Sequence, residues 1–251
     1  MGLTAEQAEA YRTNGYLTGL TILGEADATV VRKQFDVLEA EVGRERAAIG
    51  LLDRHFDQRF IWHLATRKQV LDCVESLIGP NILLLATHFF CKYGSGAKYV
   101  AWHQDATYWG LEPPEALTVW YAVDGSDREN GCMRVLPGTH HGGIRKHGTA
   151  GAEGNLLSIN QEVDVTEAEE ARAVDLVLRA GQASIHDGAA IHGSLPNCSD
   201  RRRCGLTLRY VPTSVRPAGV NSMGQEWRAI LVRGTDTEHH FPYCAPPFAL
   251  S

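Results

Sequence analysis

The sequence predicts a mainly β protein with flanking helices, an α+β chain built around a jelly-roll core. Apolar residues recur at helical spacing in the first third of the chain, and from Asn81 onward short apolar or alternating runs are separated by Gly, Pro, Asn and Asp. Many short strands between turn residues are typical of a sandwich or barrel. We expect a single domain over 1–251, with a helical part to about residue 80, a core over about 81–215 and a tail over 216–251.

The helical part contains three predicted helices. Thr4 followed by Gln7 is a capping-box signature that begins the first, and Gly15 is a suitable residue to end it. Gly43 and Gly79, the latter followed by a proline, end the second and the third. The predicted bounds are 16–23 for a strand and turn, 26–42 for the second helix and 66–78 for the third helix.

The core is predicted to consist of short strands joined by turns. The predicted strands cover 82–92, 117–123, 132–136, 173–178, 182–186 and 205–211. Residues 140–170 are predicted to form a long polar insertion between two of them. Such long loops are uncommon in compact domains and are often functional.

Composition and charge argue against several classes of protein. The net charge of −6 disfavours nucleic-acid binding, which usually needs a basic face. No apolar run is long enough to predict a membrane-spanning helix, and the N-terminus lacks the basic and apolar regions of a signal peptide. The six cysteines are scattered without a C-x-x-C pair, as expected of reduced thiols. These features predict a cytoplasmic protein without nucleic-acid or membrane partners and leave its oligomeric state open.

Three residues form a pattern typical of a non-haem iron site. His103 and Asp105 stand two residues apart, a spacing that places both side chains on one side of a strand. His192 follows 89 residues after His103. Two histidines and one carboxylate on one face of an octahedral ion make the facial triad of iron oxygenases, with open positions for other ligands. An α-keto acid and dioxygen are the ligands that such positions accept.

Arg203, 11 residues beyond His192, extends this pattern. A planar guanidinium offers two parallel hydrogen bonds to the remote carboxylate of an α-keto acid, and Arg209 is the next candidate for this role. Arg201 and Arg202 are interpreted as parts of a solvated turn. His186 competes with His192 as the distal ligand. The glycine-containing segment between the two is expected to break the strand, so their even spacing does not decide between them. His192 is preferred because it precedes Gly193 and Ser194 and stands 11 residues before Arg203, and His186 is kept as a neighbour of the site.

These residues lie in stretches that resemble the phytanoyl-CoA dioxygenase family. The matching stretches are 103–109, 130–140 and 192–197, followed by Arg203, and the resemblance covers roughly residues 80 to 211. It implies a double-stranded β-helix, the cupin-like form of the jelly roll. It also implies Fe(II) as the metal, with 2-oxoglutarate and O2 as co-substrates.

The resemblance also assigns roles to individual residues. The residues that fall on the family's iron ligands are His103, Asp105 and His192. The residues that fall on or near its 2-oxoglutarate contacts are Arg203, Ser194, Trp120 and His88. Some relatives have an apolar residue at the position of His88, so this assignment departs from the family pattern.

Four further residues are candidates for contact with the primary substrate. Tyr108 and Trp109 are expected on a loop at the mouth of the barrel, either as a substrate wall or as packing under the insertion. Gln104 stands inside the H-x-D motif. Arg134 alternates with apolar neighbours, so it is expected to point into the barrel. A buried arginine needs an anionic partner, which predicts pairing near Asp105 or with substrate.

The resemblance implies an enzyme, a dioxygenase that hydroxylates a small-molecule metabolite or natural-product intermediate and releases succinate and CO2. Halogenase relatives replace the carboxylate ligand by a small residue, so Asp105 favours a hydroxylase. Desaturation, epimerisation and cyclisation are other outcomes of the same chemistry. The alternative is a non-catalytic metal- or sugar-binding jelly roll, which needs no keto-acid clamp. The histidine pairs at 140–141 and 239–240 are interpreted as surface residues.

Overall fold

The computed structural model describes residues 2–94, 96–151, 153–157, 160–220 and 224–250. Its α-helices are α1 (Ala5–Asn14), α2 (Glu25–Val42), α3 (Arg44–Ile49), α4 (Arg59–Ala65), α5 (Lys68–Ile78) and α6 (Glu167–Glu170). Its strands are β1 (Tyr16–Thr21), β2 (Ile82–Lys92), β3 (Val100–His103), β4 (Leu111–Glu112), β5 (Leu117–Ala122), β6 (Met133–Val135), β7 (His147–Thr149), β8 (Gln161–Val163), β9 (Val174–Leu176), β10 (Gln182–Asp187), β11 (His192–Ser194), β12 (Arg203–Pro212), β13 (Arg216–Pro217) and β14 (Ile230–Arg233).

Two antiparallel sheets form the centre of the molecule. The larger has six strands in the order β1-β10-β5-β12-β2-β14, and the smaller has four in the order β3-β11-β6-β9. Side chains from both sheets line one cavity. This arrangement is a double-stranded β-helix, a cupin-like jelly roll. The fold prediction is therefore confirmed.

The helices cover the outer face of the larger sheet. Residues of α2, α4 and α5 pack in one apolar core with alternate residues of β2 and β12. Phe35 of α2 and Phe89 of β2 have ring centroids 4.7 Å apart. Tyr210 of β12 donates a hydrogen bond of 2.7 Å to the carbonyl of Ala65 at the end of α4. With one face of the sheet committed to the helices, the opposite face is free to line the cavity.

The helix predictions hold for the first two helices and are wrong at the start of the third. Thr4 and Gln7 form the predicted reciprocal capping box. The third predicted helix begins at Lys68 rather than at residue 66. Thr66 instead closes α4, because its amide and its hydroxyl both donate hydrogen bonds to the carbonyl of Trp62.

The larger sheet is wider than the predicted core. Its edge strand β1 comes from the helical part and pairs with β10, and its other edge strand β14 comes from the tail and pairs with β2. The insertion at 140–170 contains the β7–β8 ladder and α6, while its residues 152, 158 and 159 lie outside the described residues. No helix in the described part of the chain is long and apolar enough to span a bilayer.

Candidate active site

The cavity between the two sheets is where most of the predicted site residues meet. It contains about 410 Å³ of empty space. Its walls include His103, Asp105, His192, Ser194, Arg203 and Trp120. Residues that are up to 100 positions apart in the chain therefore share one enclosure.

The three predicted metal ligands come from two adjacent strands and one turn. His103 ends β3 and is paired in register with His192, which begins β11. The two-residue spacing predicted that His103 and Asp105 would lie on one strand. Instead β3 ends at His103, and Asp105 begins a 3-10 turn. One potential ligand atom from each residue lies within 4.8 Å of the others, and Nε2 of His103 is 3.5 Å from Oδ1 of Asp105.

Both imidazoles are held by their own backbone. Nδ1 of His103 is 2.8 Å from the carbonyl of Ala101, and Nδ1 of His192 is 2.9 Å from the carbonyl of Ala190. A carbonyl can only accept, so Nδ1 carries the proton in each ring and Nε2 keeps a free lone pair. Rings fixed in this way are typical of histidines that bind metals.

The charges of these groups suit a divalent cation. Burial, with the nearby His103, lowers the pKa of His192 well below its ordinary value, so its ring is neutral. Burial acts to raise the pKa of the Asp105 carboxyl, but the positive charge of Arg209 and the neighbouring imidazoles hold it well below its ordinary value. Thr118 donates a hydrogen bond of 3.0 Å to Oδ2 of Asp105. Two imidazoles and an ionised carboxylate are the donor set of non-haem iron sites, so these residues fit Fe(II).

His186 lies beside the triad but is not oriented like its members. Its ring centroid is 4.3 Å from that of His192, and its Nε2 is 3.5 Å from Oδ2 of Asp105. Neither ring nitrogen of His186 has a hydrogen-bond partner. Because no carbonyl fixes its tautomer, the geometry favours His192 over His186 as the third ligand.

The end of the cavity near the start of β12 contains a buried arginine. Arg203 is 2% exposed, and its guanidinium lies over the ring of Trp120 at 5.4 Å. Its Nη2 is 3.4 Å from the hydroxyl of Ser194, and its Nε has no partner. Three of the four predicted 2-oxoglutarate contacts are thus brought together on one wall.

Comparison with known proteins gives the family. A family model described as Phytanoyl-CoA dioxygenase (PhyH) matches residues 11–205. The chain belongs to the phytanoyl-CoA dioxygenase family. It is 25% identical over 247 residues to the peroxisomal phytanoyl-CoA dioxygenase of Homo sapiens, covering 89% of this chain and 73% of that one. It is 28% identical over 180 residues to a probable alpha-ketoglutarate-dependent hypophosphite dioxygenase of Stutzerimonas stutzeri, covering 69% of this chain and 60% of that one.

Among solved structures, the non-heme monooxygenase ThoJ in its apo form resembles this member of the phytanoyl-CoA dioxygenase family. The TM-score is 0.79 at 31% sequence identity, over 97% of this chain and 89% of ThoJ. The similarity therefore includes the helical part and both sheets.

Lys92 lies beside Ser194 and Arg203, and the sequence pattern did not indicate it as a site residue. It is paired in register with Arg203, and its Nζ lies 2.6 Å from the hydroxyl of Ser194 and 3.3 Å from the carbonyl of Gly131. Burial, with the charge of Arg203, lowers its pKa to about 5, so the amine is neutral at physiological pH. Its position as the last residue of a predicted apolar strand was the signal that could have marked it.

His88 lies just outside the cavity. It shares the inward face of β2 with Phe90, which does line the cavity, and the two rings are 4.4 Å apart. Its Nε2 is hydrogen-bonded to the carbonyl of Ile49. Burial and then the charge of Arg209 lower its pKa to about 4, so this ring is also neutral. Nothing in this geometry favours a direct contact with a co-substrate.

The two aromatic candidates at the mouth differ. Trp109 is buried and packs in an apolar cluster, and its carbonyl accepts a hydrogen bond of 2.9 Å from the indole of Trp227. These contacts favour the packing interpretation. Tyr108 lies 5.9 Å, ring to ring, from His103, and its buried hydroxyl has no hydrogen-bond partner. Of the two, Tyr108 is the better candidate for a substrate contact.

Gln104 is fully buried and ties the H-x-D segment to its surroundings. Its Nε2 donates to the carbonyls of Gly143 at 2.9 Å and Ala189 at 2.7 Å. Its Oε1 accepts a hydrogen bond of 2.8 Å from the amide of Arg145. With both donors used, the side chain positions the turn that carries Asp105 rather than offering groups to a substrate.

Arg134 points away from the cavity, so the interpretation that it faces into the barrel is wrong. The alternation of β6 turns its neighbour Met133 inward instead. Arg134 pairs with Glu170 at 2.8 Å and lies 3.4 Å from Asp175, with the ring of Trp102 beneath it at 5.3 Å. Its anionic partners come from the chain itself.

Arg202 also differs from its sequence interpretation as part of a solvated turn. It forms ion pairs with three carboxylates, those of Asp36, Glu39 and Asp124, and so fastens α2 to the start of β12. Within the described residues, the histidine pairs 140–141 and 239–240 belong to no cluster able to hold a metal.

Proposed function

We propose that this chain is an Fe(II)- and 2-oxoglutarate-dependent oxygenase that hydroxylates a small-molecule metabolite or natural-product intermediate, releasing succinate and CO2. The observation that carries the proposal is a pair of oriented imidazoles and a carboxylate in a cavity that also contains a buried arginine. A non-catalytic metal- or sugar-binding jelly roll has no use for that arginine.

Each residue has a distinct role in this proposal. His103, Asp105 and His192 hold Fe(II), and Arg203 binds the distal carboxylate of 2-oxoglutarate with Ser194 beside it. Lys92 holds the hydroxyl of Ser194 in place. When bound, iron and 2-oxoglutarate supply the activation of dioxygen, with decarboxylation of the keto acid to succinate. The chain supplies the ligand geometry and a cavity between the two sheets that places the substrate.

Asp105 favours hydroxylation over halogenation, because its carboxylate occupies the position that a halogenase leaves to chloride. The hydrogen bond from Thr118 fixes that carboxylate. The two relatives compared above are named for an acyl-CoA and for hypophosphite, which are unrelated compounds. The primary substrate must therefore be inferred from the cavity of this chain, and the product mass distinguishes hydroxylation from desaturation, epimerisation and cyclisation.

Formation of succinate from 2-oxoglutarate tests the proposal. The parent protein with Fe(II) is expected to form succinate. Arg203→Ala is expected to raise the KM for 2-oxoglutarate roughly 30-fold or more, because a buried charge-assisted pair is lost. Arg201→Ala, two residues away with its side chain 46% exposed, is the matched control and should leave the KM unchanged.

Two results would contradict the proposal at different levels. A parent protein that forms no succinate with any candidate substrate is not an oxygenase of this kind. An unchanged KM in Arg203→Ala would leave the oxygenase in place but would require another residue to bind the distal carboxylate.

A further inference from the structure

The cavity contains a second buried arginine that the roles above do not use. Arg209 is 8% exposed and lines the cavity. Its side chain makes no hydrogen bond and no ion pair with any residue of the described ranges, and its Nε is buried without a partner. A buried charge normally has both.

Arg203 begins β12, and Arg209 faces the same cavity six residues further along this strand. Residues 203, 205, 207 and 209 of β12 share its inward face, and six residues of strand separate the two arginines by about 20 Å along the chain. Arg209 is paired in register with Thr118, which holds Asp105, whereas Arg203 is paired with Lys92. The metal-binding residues thus lie between one arginine near Ser194 and another beside Asp105.

The immediate surroundings of Arg209 do not balance its charge. Its guanidinium lies over the ring of Trp109 at 5.6 Å, a contact that is weaker than the cost of removing a guanidinium from water. Asp105 and Asp53 act on it electrostatically, but neither carboxylate lies within 4.0 Å of it. Asp105 is also the proposed ligand of a cation, so its charge is shared.

A loaded site would supply no direct partner for this charge. Two positive charges of Fe(II) and one of Arg203 are balanced by Asp105 and the two carboxylates of 2-oxoglutarate. Among the described residues that line the cavity, Arg209 then remains as the cation without an ion-pair partner.

We propose that the primary substrate is an anion whose carboxylate or phosphate group binds Arg209. This inference rests on the proposed oxygenase function. The planar guanidinium offers parallel hydrogen bonds to either oxyanion, and the ring of Trp109 packs against it at 5.6 Å. The anion thereby directs the rest of the molecule toward His103, Asp105 and His192.

Binding without turnover provides the first test. Anaerobic protein with Fe(II) and 2-oxoglutarate is titrated with benzoate against benzamide, and with phenyl phosphate against phenol. We expect at least one anion to bind more tightly than its neutral partner. That preference should fall roughly 30-fold or more in Arg209→Gln, and part of it should return in Arg209→Lys. Arg172→Gln, at an exposed arginine, is the matched control.

The benzoate and benzamide pair tests recognition of a carboxylate, and the phenyl phosphate and phenol pair tests recognition of a phosphate. The absorption of the Fe(II)–2-oxoglutarate complex shows separately whether the protein binds the metal and the co-substrate of the proposed oxygenase. If that absorption is absent from the parent protein, the oxygenase proposal fails. If it is present but neither anion is preferred, or if Arg209→Gln keeps the preference, the anionic-substrate proposal is overturned and the oxygenase remains.

Turnover provides the second test. A panel of amino acids, hydroxy acids and sugar phosphates is compared with the corresponding esters, amides and parent sugars for stimulation of succinate formation. The compounds that stimulate should carry a carboxylate or a phosphate, and Arg209→Gln should lose the stimulation while it still binds 2-oxoglutarate. Equal stimulation by the corresponding ester, amide or parent sugar overturns the proposal.

Discussion

At the scale of single residues, the hydrogen bonding of the ring distinguishes His192 from its neighbour His186 as the candidate metal ligand. His192 donates from Nδ1 to a backbone carbonyl and presents Nε2 to the cavity, whereas His186 has no partner at either nitrogen. Their spacing in the sequence leaves the choice between them open, because it does not show which ring is fixed. The ligand assignment stays a prediction, and the orientation makes it testable.

Matched substitutions at the two histidines test this assignment. We expect His192→Gln to lose stoichiometric Fe(II) binding, because one of three protein ligands is removed. We expect His186→Gln to retain it, since Asp105 keeps its hydrogen bond from Thr118. Metal content after anaerobic reconstitution is the measurement, and the reverse pattern would show that His186 is the ligand.

Local spacing explains how much of the site could be predicted. The H-x-D motif, the later histidine and Arg203 are recognisable because each depends on a few neighbouring residues. Lys92 was missed as a site residue because its position depends on the register of β12 with β2, which one sequence does not provide. The sequence indicated Arg209 only as the next candidate for the role of Arg203, and the even spacing of the two arginines predicts that they share a face.

At the scale of elements, strand β12 contributes one face to the apolar core and the other to the cavity. Its outward residues 204, 206, 208 and 210 belong to the core under the helices, and its inward residues line the cavity. The sequence predicted this strand but began it two residues late, at residue 205, because a run of arginines does not resemble a strand. The same parity argument was wrong for Arg134, since β6 is too short for the pattern to identify the inward face.

Gly205 shows how closely this strand is fitted to the cavity. A Cβ at this position would lie 2.0 Å from the ring of Trp120. We expect Gly205→Ala to displace that ring, to lower the free energy of unfolding by about 1–3 kcal/mol, as overpacking does, and to weaken 2-oxoglutarate binding.

Denaturant unfolding and the KM for 2-oxoglutarate measure these effects. Gly148→Ala is the matched control, since a Cβ at that strand position lies 3.9 Å from its nearest neighbour. If Gly205→Ala changes neither the free energy of unfolding nor the KM for 2-oxoglutarate, the position of the Trp120 ring does not depend on the glycine.

At the scale of the whole molecule, the fold class could be predicted because helical and strand periodicities occupy different parts of the chain. The set of strands that form the larger sheet could not be predicted. β1 and β14 join it by pairing with strands more than 100 residues away, and no local pattern encodes such partners. That the chain is one domain stays a prediction.

Acid should destabilise the fold through histidines that are buried in neutral form. His55 is fully buried, and burial, with the charge of Arg228, lowers its pKa from 6.5 to about 4. The unfolded chain then binds more protons than the folded one between these values, so the free energy of unfolding falls as pH decreases through this range. One such histidine accounts for a loss of about 3 kcal/mol at most.

Denaturant unfolding at about pH 7.5 and about pH 5 tests this expectation. His55→Gln should reduce the difference between the two pH values, and His63→Gln, at an exposed position of α4, controls for the loss of an imidazole. An equal difference in parent and His55→Gln proteins would show that His55 does not contribute.

The hydrogen bonds of Gln104 bear on how such an enzyme could acquire new substrates. The three partners of its side chain are main-chain groups, those of Gly143, Arg145 and Ala189, and its amide donates a hydrogen bond of 3.1 Å to the ring of His147 in the insertion. Main-chain partners remain when side chains change, so most of the anchor between the start of the insertion and the turn that carries Asp105 does not depend on the side chains of the insertion. Libraries that randomise these side chains and keep Gln104 and His147 are therefore a natural starting point for directed evolution of specificity.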